Sequence, residues 1–222
     1  MSKIKKILES FVSEPFNLNN YSFFCTNNTI KKNMKRIVIF ASGSGSNAEN
    51  IINYFKNSND ISVTHVLSNN KNAKVFDRCE RLNIEASLFD KESFTKEETV
   101  LNFLLVEADF IILAGFLWRI PAAIVDAFPN KIINIHPALL PKYGGKGMYG
   151  MNVHKAVKEN NEKETGITIH YVNENYDEGA IIFQAKTEIT PEDTPESIAS
   201  KVHTLEYEHF PKVIENVILN NE

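Results

Sequence analysis

Apolar residues along this chain follow two patterns, short uninterrupted runs and longer segments with apolar positions at helical spacing. The short runs are typical of buried parallel strands, and the spaced pattern is typical of helices that cover a sheet. The two patterns alternate from residue 36 to residue 135, which predicts βαβ units and a doubly wound, mostly parallel α/β sheet. The predicted strands span residues 36–41, 61–67, 84–89, 109–113 and 131–135, and the predicted helices span 47–56, 72–82, 94–107 and 122–128.

The pattern changes after residue 150. A helix is predicted over 151–160, followed by two strands, 166–172 and 180–189, that a short acidic loop connects. A connection this short favours an antiparallel hairpin, which we place at the edge of the sheet. A long helix over 195–219 closes the chain, and Pro211 is the candidate position for an interruption of it.

The first 33 residues differ from the rest of the chain. Residues 17–33 are polar and rich in asparagine, and the first predicted strand begins shortly after Met34. We interpret residues 1–33 as a dispensable N-terminal extension and residues 34–222 as one folded domain.

Charge and cysteine usage argue against several classes of protein. The formal net charge of −4 argues against a nucleic-acid partner, and no apolar run approaches the roughly 20 residues that cross a bilayer. The two cysteines, Cys25 and Cys79, form neither a disulfide framework nor a zinc-ligand pattern. The simplest interpretation is a cytoplasmic protein that binds small molecules, with its oligomeric state open.

The most informative stretch is 134–141, where the fifth predicted strand runs into Asn-Ile-His-Pro-Ala-Leu-Leu-Pro. Residues two apart in a strand share a face, so Asn134 and His136 are expected to project together at the carboxyl end of the strand. Open α/β sheets bind their ligands at that end. Pro137 and Pro141 restrict the loop that follows. A donor amide, a titratable imidazole and a rigid loop are suited to stabilising a charged intermediate.

A glycine-rich loop at residues 43–47, Gly-Ser-Gly-Ser-Asn, joins the first predicted strand to the first helix. Such a loop lets backbone N–H groups approach an anion at the positive end of a helix. Residues 43–48 also fit the loose dinucleotide fingerprint, but the second strand ends in Ser-Asn-Asn at 68–70, without an acid for a dinucleotide ribose. A phosphate site therefore fits better than an NAD site. The alternative is a tight turn without a ligand, in which Asn47 caps the helix.

The closing helix carries His203, Glu206 and His209 at three-residue steps, a spacing that metal ligands on a helix can use. A second Glu-x-x-His helix is missing. We therefore expect no metal at this position.

Four motifs together resemble those of a known enzyme family in order and spacing. They are the glycine loop, Leu-Ala-Gly-Phe at 113–116, the Asn-Ile-His-Pro block through 134–143, and His170 followed by Asp-x-Gly at 177–179. Over residues 35 to about 218 the chain resembles the phosphoribosylglycinamide formyltransferases. The resemblance implies a Rossmann-like formyltransferase fold. It also implies transfer of a formyl group from 10-formyltetrahydrofolate, the cosubstrate, to the amine of glycinamide ribonucleotide, without a metal.

The resemblance further implies that residues 34–222 are a formyltransferase domain and that Asn134, His136 and Asp177 are its catalytic trio. The chemistry agrees with these residue types. Asn134 can donate a hydrogen bond to a tetrahedral oxyanion, and His136 can add a charged donor. Asp177 can keep His136 protonated or relay protons through water.

Substrate-binding residues are also implied by the resemblance. The phosphate loop of the family matches Gly45, Ser46 and Asn47, its ribose contact matches Glu206, and its folate-binding residues match Leu117, Trp118, Arg119, Ile120 and Asn134, with His170 and Lys91 as further candidates. This chain departs from the family pattern at Trp118, which can alter the contact to the folate tail. It also lacks an arginine after the third strand, where Lys91 is the candidate substitute.

Three other functions are alternatives. A formyltetrahydrofolate hydrolase is expected to carry a regulatory domain before the catalytic one, for which 33 residues are too few. A methionyl-tRNA formyltransferase is expected to carry an additional carboxyl-terminal domain. A non-enzymatic nucleotide-binding module would use the glycine loop but has no need for Asn134, His136 and Asp177.

Overall fold

The computed structural model describes residues 34–96 and 98–220, which form one seven-stranded sheet with helices on both faces. The predicted extension, residues 1–33, lies outside the described residues, so its dispensability stays a prediction. No helix in the described part of the chain is both long and apolar enough to cross a membrane.

The strands appear in sequence order where the hydrophobic pattern predicts them. They are β1 (Lys35–Phe40), β2 (Ile61–Ser68), β3 (Glu85–Leu88), β4 (Phe110–Leu113), β5 (Ile132–His136), β6 (Glu164–Tyr171) and β7 (Ile181–Glu188). Within the described residues the helices are α1 (Ser46–Phe55), α2 (Val75–Leu82), α3 (Lys91–Thr95), α4 (Thr99–Glu107), α5 (Ala122–Ala127), α6 (Met151–Glu159) and α7 (Pro195–Asn220).

The strand order across the sheet is β3-β2-β1-β4-β5-β6-β7. The first five strands pair in parallel, whereas β6 runs antiparallel to β5 and to β7. The predicted fold class is therefore confirmed, including the antiparallel hairpin at one edge and the long C-terminal helix.

Both faces of the central strands are buried, which explains their uninterrupted apolar sequence. In β1, Ile37 and Ile39 face the core layer under α1, α2 and α7. Val38 and Phe40 face the opposite layer under α3, α4 and α5. All four side chains are fully buried.

The single helix predicted over 94–107 is wrong, because α3 and α4 occupy this region as separate helices. Asp90 accepts a hydrogen bond from a first-turn N–H and begins α3 earlier than predicted. Glu98 has a φ of +53°, a left-handed conformation that cannot continue a helix. Two short helices allow Phe94 and Leu104 to reach the same core.

The long helix α7 continues across Pro211 without interruption. A proline has no N–H, so the carbonyl of Tyr207, one turn earlier, lacks its helical donor. Asn50 on α1 donates its side-chain amide to that carbonyl at 3.0 Å. A side chain from the neighbouring helix thus replaces the missing backbone hydrogen bond.

The strand order reverses between β1 and β4. Helix α1, which follows β1, covers one face of the sheet, and α5, which follows β4, covers the other. The loops after these two strands therefore diverge and leave a crevice at their carboxyl ends, the usual ligand position in such sheets.

Candidate active site

A cleft of about 520 Å³ opens at the carboxyl ends of β1, β4 and β5. Its walls are the loops after these strands, the glycine-rich segment 144–150 before α6, the loop between β6 and β7, and α7. Most of the predicted site residues meet here. Those lining the cleft are Gly45, Ser46, Asn47, Leu117, Asn134, His136, Asp177 and Glu206.

Asn134 and His136 lie at the end of β5 and both line the cleft, as the strand periodicity predicts. Antiparallel pairing of β5 with β6 places Asn134 directly opposite His170. Asn134 donates from Nδ2 to His170 Nε2 at 3.0 Å. His170 Nδ1 in turn donates to the carbonyl of Tyr171 at 2.8 Å, so its Nε2 is the acceptor. His170 thereby orients the amide of Asn134.

Asp177 reaches this pair from the loop between β6 and β7. Its Oδ1 lies 3.5 Å from Asn134 Nδ2, and its Oδ2 lies 3.5 Å from His136 Nδ1. The backbone N–H of Gly145 donates to Oδ2 at 2.8 Å. Both 3.5 Å separations exceed an ordinary N–H···O hydrogen bond, so the two donors remain available to a ligand.

Two glycines allow the Asp177 loop to approach so closely. A Cβ at Gly179 would lie 1.6 Å from the carbonyl oxygen of Tyr171. A Cβ at Gly144 would lie 2.6 Å from Leu140 Cδ2 and 3.3 Å from the Cβ of Asp177. A larger residue at Gly179 would force the loop away from β6, and one at Gly144 would press on both Leu140 and Asp177.

In the neutral form of His136 the single ring proton lies on Nε2. Its Nε2 donates to the carbonyl of Tyr143 at 2.7 Å, so a second proton must sit on Nδ1, which faces Asp177. Burial lowers the pKa of His136 below its ordinary value, and the Asp177 carboxylate opposes that effect. Burial raises the pKa of Asp177, but His170, His136 and the N–H of Gly145 outweigh it, and the net shift is downward. The carboxylate is therefore charged at neutral pH.

The glycine loop after β1 presents backbone N–H groups at the start of α1. Gly45 has a φ of +72°, and an added Cβ would lie 2.5 Å from Val75 Cγ2, so glycine is required there. The helix begins at Ser46, and no side chain in the described part of the chain caps it. Its first-turn N–H groups are therefore open to an anion. Asn47 does not cap α1, since it lies within the first turn and bonds to Glu206.

Glu206 on α7 is a buried carboxylate with only 4% of its surface exposed. Its Oε2 accepts hydrogen bonds from Asn47 Nδ2 at 2.9 Å and from His203 Nδ1 at 2.7 Å. The hydrogen bond to Glu206 raises the pKa of His203, although burial opposes the rise. Among the described residues no side chain bonds to Oε1, which leaves that oxygen as an acceptor for a ligand hydroxyl.

The predicted folate-binding segment 117–120 lies only partly in the cleft. Leu117 lines it, whereas the side chain of Trp118 packs in an aromatic cluster behind it. Ile120 is buried in the same core, and Arg119 is exposed to solvent. Side-chain contacts to a folate are thus expected from Leu117, and backbone contacts from the rest of the segment stay a prediction.

The two further folate candidates do not line the cleft. Lys91 is the exposed first residue of α3. His170 is buried behind Asn134 and contacts the site through that amide. Direct contact of either residue with a folate stays a prediction.

Asn69 and Asn70 follow β2, at the position where a dinucleotide site would carry an acid. Both residues bond to the loop after β1. Ser42 Oγ donates to Asn69 Oδ1 at 2.7 Å. Asn70 Nδ2 donates to the carbonyl of Ser42 at 3.0 Å. These hydrogen bonds hold the loop after β1 against the loop after β2.

The cleft contains residues that the sequence analysis did not select. His154 on α6, Tyr149 just before α6, and Tyr176 next to Asp177 all line it. Among the glycines that precede α6, those at positions 145, 147 and 150 have positive φ. The high frequency of glycine in this segment of the sequence indicated an unusual loop. A single histidine on an amphipathic helix carries no such signal.

The metal spacing on the closing helix does not assemble a cluster. His203 bonds to Glu206, whereas the ring of His209 packs at 5.0 Å from that of Phe183. No group of three His, Cys, Asp or Glu residues in the described ranges could hold a metal ion.

Donors suited to an oxyanion thus line the same cleft as a loop suited to a phosphate, an arrangement that fits an enzyme transferring an acyl-type group to a phosphorylated acceptor. The model of the formyl transferase family matches residues 35–214. The chain belongs to the formyl transferase family.

Relatives and solved structures agree with this assignment. Phosphoribosylglycinamide formyltransferase of Bacillus subtilis is 38% identical over 195 residues, which cover 85% of this chain and 97% of that protein. The chloroplastic phosphoribosylglycinamide formyltransferase of Arabidopsis thaliana is 37% identical over 190 residues, which cover 81% of this chain but only 64% of the relative. The crystal structure of phosphoribosylglycinamide formyltransferase from Bacillus halodurans has a TM-score of 0.76 and 33% identity, and the match covers 85% of this chain and 97% of that one. The Rossmann-like formyltransferase fold is confirmed.

Proposed function

We propose that this chain transfers a formyl group from 10-formyltetrahydrofolate to the primary amine of glycinamide ribonucleotide, in purine biosynthesis. The observation that carries the proposal is the convergence of Asn134, His136 and Asp177 on one cleft, opposite an open helix N-terminus. Similarity to the phosphoribosylglycinamide formyltransferase of Bacillus subtilis supports the same acceptor.

The phosphorylated acceptor binds between the glycine loop and α7. Backbone N–H groups at Gly45, Ser46 and Asn47 receive the phosphate, since they begin α1 without a side-chain cap. Glu206 accepts a hydrogen bond from a ribose hydroxyl through its Oε1. The glycinamide then extends toward the end of β5.

Formyl transfer begins when the uncharged amine attacks the formyl carbon. A C–N bond forms, and the carbonyl π electrons move to oxygen, which gives a tetrahedral oxyanion and a cationic amine. The donors for that oxyanion are Asn134 Nδ2 and, in the protonated form of His136 that the Asp177 carboxylate favours against burial, His136 Nδ1. Neither nitrogen is tied to Asp177 at a short distance.

Collapse of the intermediate requires two proton transfers. Asp177 accepts the proton that the attacking nitrogen loses, directly or through water. His136 gives a proton to N10 of the folate as the C–N10 bond breaks, so that tetrahydrofolate leaves uncharged at that nitrogen. Asp177 then returns its proton to His136, and the site is restored without a covalent enzyme intermediate.

The formyl folate occupies the side of the cleft formed by the loop after β4. Leu117 contacts it with its side chain, and Trp118, Arg119 and Ile120 contribute backbone groups. Asn134 faces its formyl group, and His170 positions that amide. Lys91, exposed on α3, is proposed to reach the distal end of the folate.

Both proposed partners are small molecules, and the proposed location is the cytoplasm. The free thiol of Cys79 fits a reducing compartment. Burial raises the pKa of that thiol to about 11, which makes it a poor nucleophile. No metal takes part in the proposed chemistry.

The direct test is an assay of the full chain with 10-formyltetrahydrofolate in the presence and absence of glycinamide ribonucleotide. We expect consumption of the formyl folate only with the acceptor, together with formation of formylglycinamide ribonucleotide. Equal consumption with and without the acceptor would instead identify a hydrolase. Consumption only with charged initiator tRNA would identify a tRNA formyltransferase, and acceptor binding without turnover would identify a binding module.

A further inference from the structure

His154 is a buried imidazole in the wall of the cleft, and its Nδ1 has no hydrogen-bond partner. It lies on α6 with 3% of its surface exposed and lines the cleft. Its Nδ1 is one of three buried side-chain polar atoms that lack a hydrogen-bond partner in the described part of the chain, with Asn47 Oδ1 and Thr165 Oγ1. A buried polar atom without a partner costs free energy, so its position beside a ligand cleft needs an explanation.

Three titratable side chains of the cleft surround His154 closely enough to act on its charge. Glu206 and His203 on α7, and His136 at the end of β5, all lie within electrostatic range of its ring. Burial lowers the pKa of His154, and the neighbouring His203 lowers it further, while Glu206 opposes the shift. The ring is therefore neutral at neutral pH.

A neutral imidazole has one N–H and one acceptor nitrogen. A buried acceptor without a partner is better tolerated than a buried N–H without one. Because Nδ1 is fully buried and has no partner, we assign Nδ1 as the acceptor and place the proton on Nε2. Within the described residues Nε2 has no hydrogen-bond partner, and it is not among the fully buried atoms that lack one, so it is accessible. Because Nδ1 is fully buried and His154 lines the cleft, Nε2 is the nitrogen that His154 offers to a ligand as an N–H donor.

Side-chain donors are few in this corner. Glu206 can only accept hydrogen bonds, one of the two N–H groups of the Asn47 amide is used by Glu206, and the Nδ1 donor of His203 is used by the same carboxylate. A ribose has adjacent hydroxyls, each of which can donate one hydrogen bond and accept others. A carboxylate and a neutral imidazole N–H together satisfy such a pair more fully than the carboxylate alone.

We propose that His154 donates a hydrogen bond from Nε2 to a ribose hydroxyl of the phosphorylated acceptor, and so positions the acceptor without taking part in formyl transfer. The inference rests on the proposed function, because it names the part of that acceptor which His154 recognises.

The first test is a steady-state comparison of His154→Phe, which keeps a ring but has no donor, with His154→Gln, which keeps a donor. In His154→Phe we expect KM for glycinamide ribonucleotide to rise about tenfold, equal to about 1.4 kcal/mol, with kcat and KM for the folate nearly unchanged. His154→Gln should recover much of the lost affinity. The matched control is His65→Phe, since His65 is a partly buried imidazole on β2 that bonds to Ser87 at 2.9 Å and does not line the cleft, and both KM values should stay unchanged.

A second test removes the hydroxyl instead of the histidine. The 2′-deoxy and 3′-deoxy forms of the acceptor are measured with the wild type and with His154→Phe. For one of the two, the losses should be non-additive, because the hydrogen bond can be lost only once. Additive losses for both analogues would overturn the inference.

The outcomes separate this inference from the proposed function. Normal wild-type turnover with an unchanged acceptor KM in folded His154→Phe, or an equal rise in both KM values, overturns only the role of His154. A wild type that neither binds nor formylates the acceptor overturns both the role of His154 and the proposed function.

If His154→Phe does not fold, nitrogen-15 spectra of the wild-type histidines test the role of His154 instead. The His154 signals are assigned by comparison with His154→Gln. A His154 ring signal that moves on acceptor binding supports the inference, and an unmoved signal at saturation overturns it.

Discussion

At the scale of single residues, the chemistry of the site depends on which polar atoms are already paired. The Nε2 proton of His136 is held by the carbonyl of Tyr143. Only its Nδ1 edge, 3.5 Å from Asp177, can exchange a proton with a ligand. Asn134 is similarly half engaged, with one short hydrogen bond to His170 and one long contact to Asp177. Hydrogen bonds within the protein thus fix the orientation of both side chains, and Asn134 and the protonated His136 each keep an N–H group for a ligand.

Loss of either donor should lower turnover strongly. We expect Asn134→Ala and His136→Ala each to reduce kcat by about 10²-fold or more, because each removes a donor to the oxyanion in the transition state. The measurement is kcat on purified variants whose melting temperatures show that they are folded. The control for the histidine is His65→Ala, which removes an imidazole that does not line the cleft. Near-normal turnover in a folded Asn134→Ala or His136→Ala protein would contradict the proposed roles.

The charge of Asp177 should appear in the pH dependence of turnover. The carboxylate raises the pKa of His136 against the lowering effect of burial, so Asp177→Asn should lower that pKa further. In the proposed mechanism the protonated His136 is active, and activity is lost as pH rises through its pKa. The alkaline limb of the kcat profile should therefore move to lower pH. Asp126→Asn, an exposed change on α5, is the control, and an unshifted profile with full activity would argue against the proposed link.

At the scale of helices and strands, short connecting segments determine what the site can bind. The loop after β1 needs a left-handed residue at Gly45 to begin α1 close to α2, and this turn exposes the N–H groups of the first helical turn. The β6–β7 hairpin carries Asp177 in a left-handed conformation and depends on Gly179 for its close approach to β6. The turns at Gly45 and at Asp177 both lie in loops, whereas Asn134 and His136 lie on a strand.

Substitution in the glycine loop should separate the two substrates. Gly45→Ala places a Cβ against Val75 at positive φ, so we expect a loss of about 1–3 kcal/mol in the free energy of unfolding. Calorimetry should show much weaker binding of glycinamide ribonucleotide, with folate binding little changed. Gly43→Ala is the stability control, because no atom lies within 4 Å of its added Cβ. Equal losses for both ligands in Gly45→Ala would point to general misfolding.

The hydrogen bond across Pro211 should be measurable as a coupling between two helices. Asn50→Ala leaves the carbonyl of Tyr207 without its donor, so we expect a loss of about 1 kcal/mol in the free energy of unfolding. In a Pro211→Ala background, the alanine N–H can bond to that carbonyl, and the same substitution should cost less. Denaturant unfolding of the double-mutant cycle measures the difference. Asn57→Ala, exposed just beyond α1, is the control, and an equal loss in both backgrounds would contradict this account.

At the scale of the whole molecule, the sheet order brings distant parts of the chain to one edge. The switch between β1 and β4 opens the crevice, and the antiparallel β6–β7 hairpin covers one side of it. α7 returns from the far end of the chain to place Glu206 against Asn47. The cleft therefore exists only when the sheet and α7 are assembled together.

The extension before Met34 should be dispensable. No site motif occurs in residues 1–33, and the first described strand begins at Lys35. We expect the chain beginning at Met34 to keep the melting temperature and kcat of the full chain. A large decrease in either quantity would show that the extension contributes to stability or activity.

Patterns of neighbouring residues in the sequence predicted much of the architecture. Apolar runs such as residues 37–41 identified buried parallel strands, because strands covered on both faces are apolar at every position. The alternation of strands and helices then predicted the doubly wound sheet. Strand periodicity placed Asn134 and His136 on one face, since it requires only neighbouring residues. The role of Asp177 came from resemblance, because a short acidic turn by itself does not indicate what it approaches.

Only the tertiary structure decided how distant residues meet. The register of β5 against β6 places His170 behind Asn134, and this pairing depends on burial of the whole hairpin. The donation from Asn50 across Pro211 depends likewise on a neighbour far away in sequence. The burial of His154 Nδ1 without a partner depends on how α6 packs in the folded molecule. Side-chain periodicity is a local property, whereas the closing of loops and the pairing of buried polar groups are set by the packed molecule as a whole.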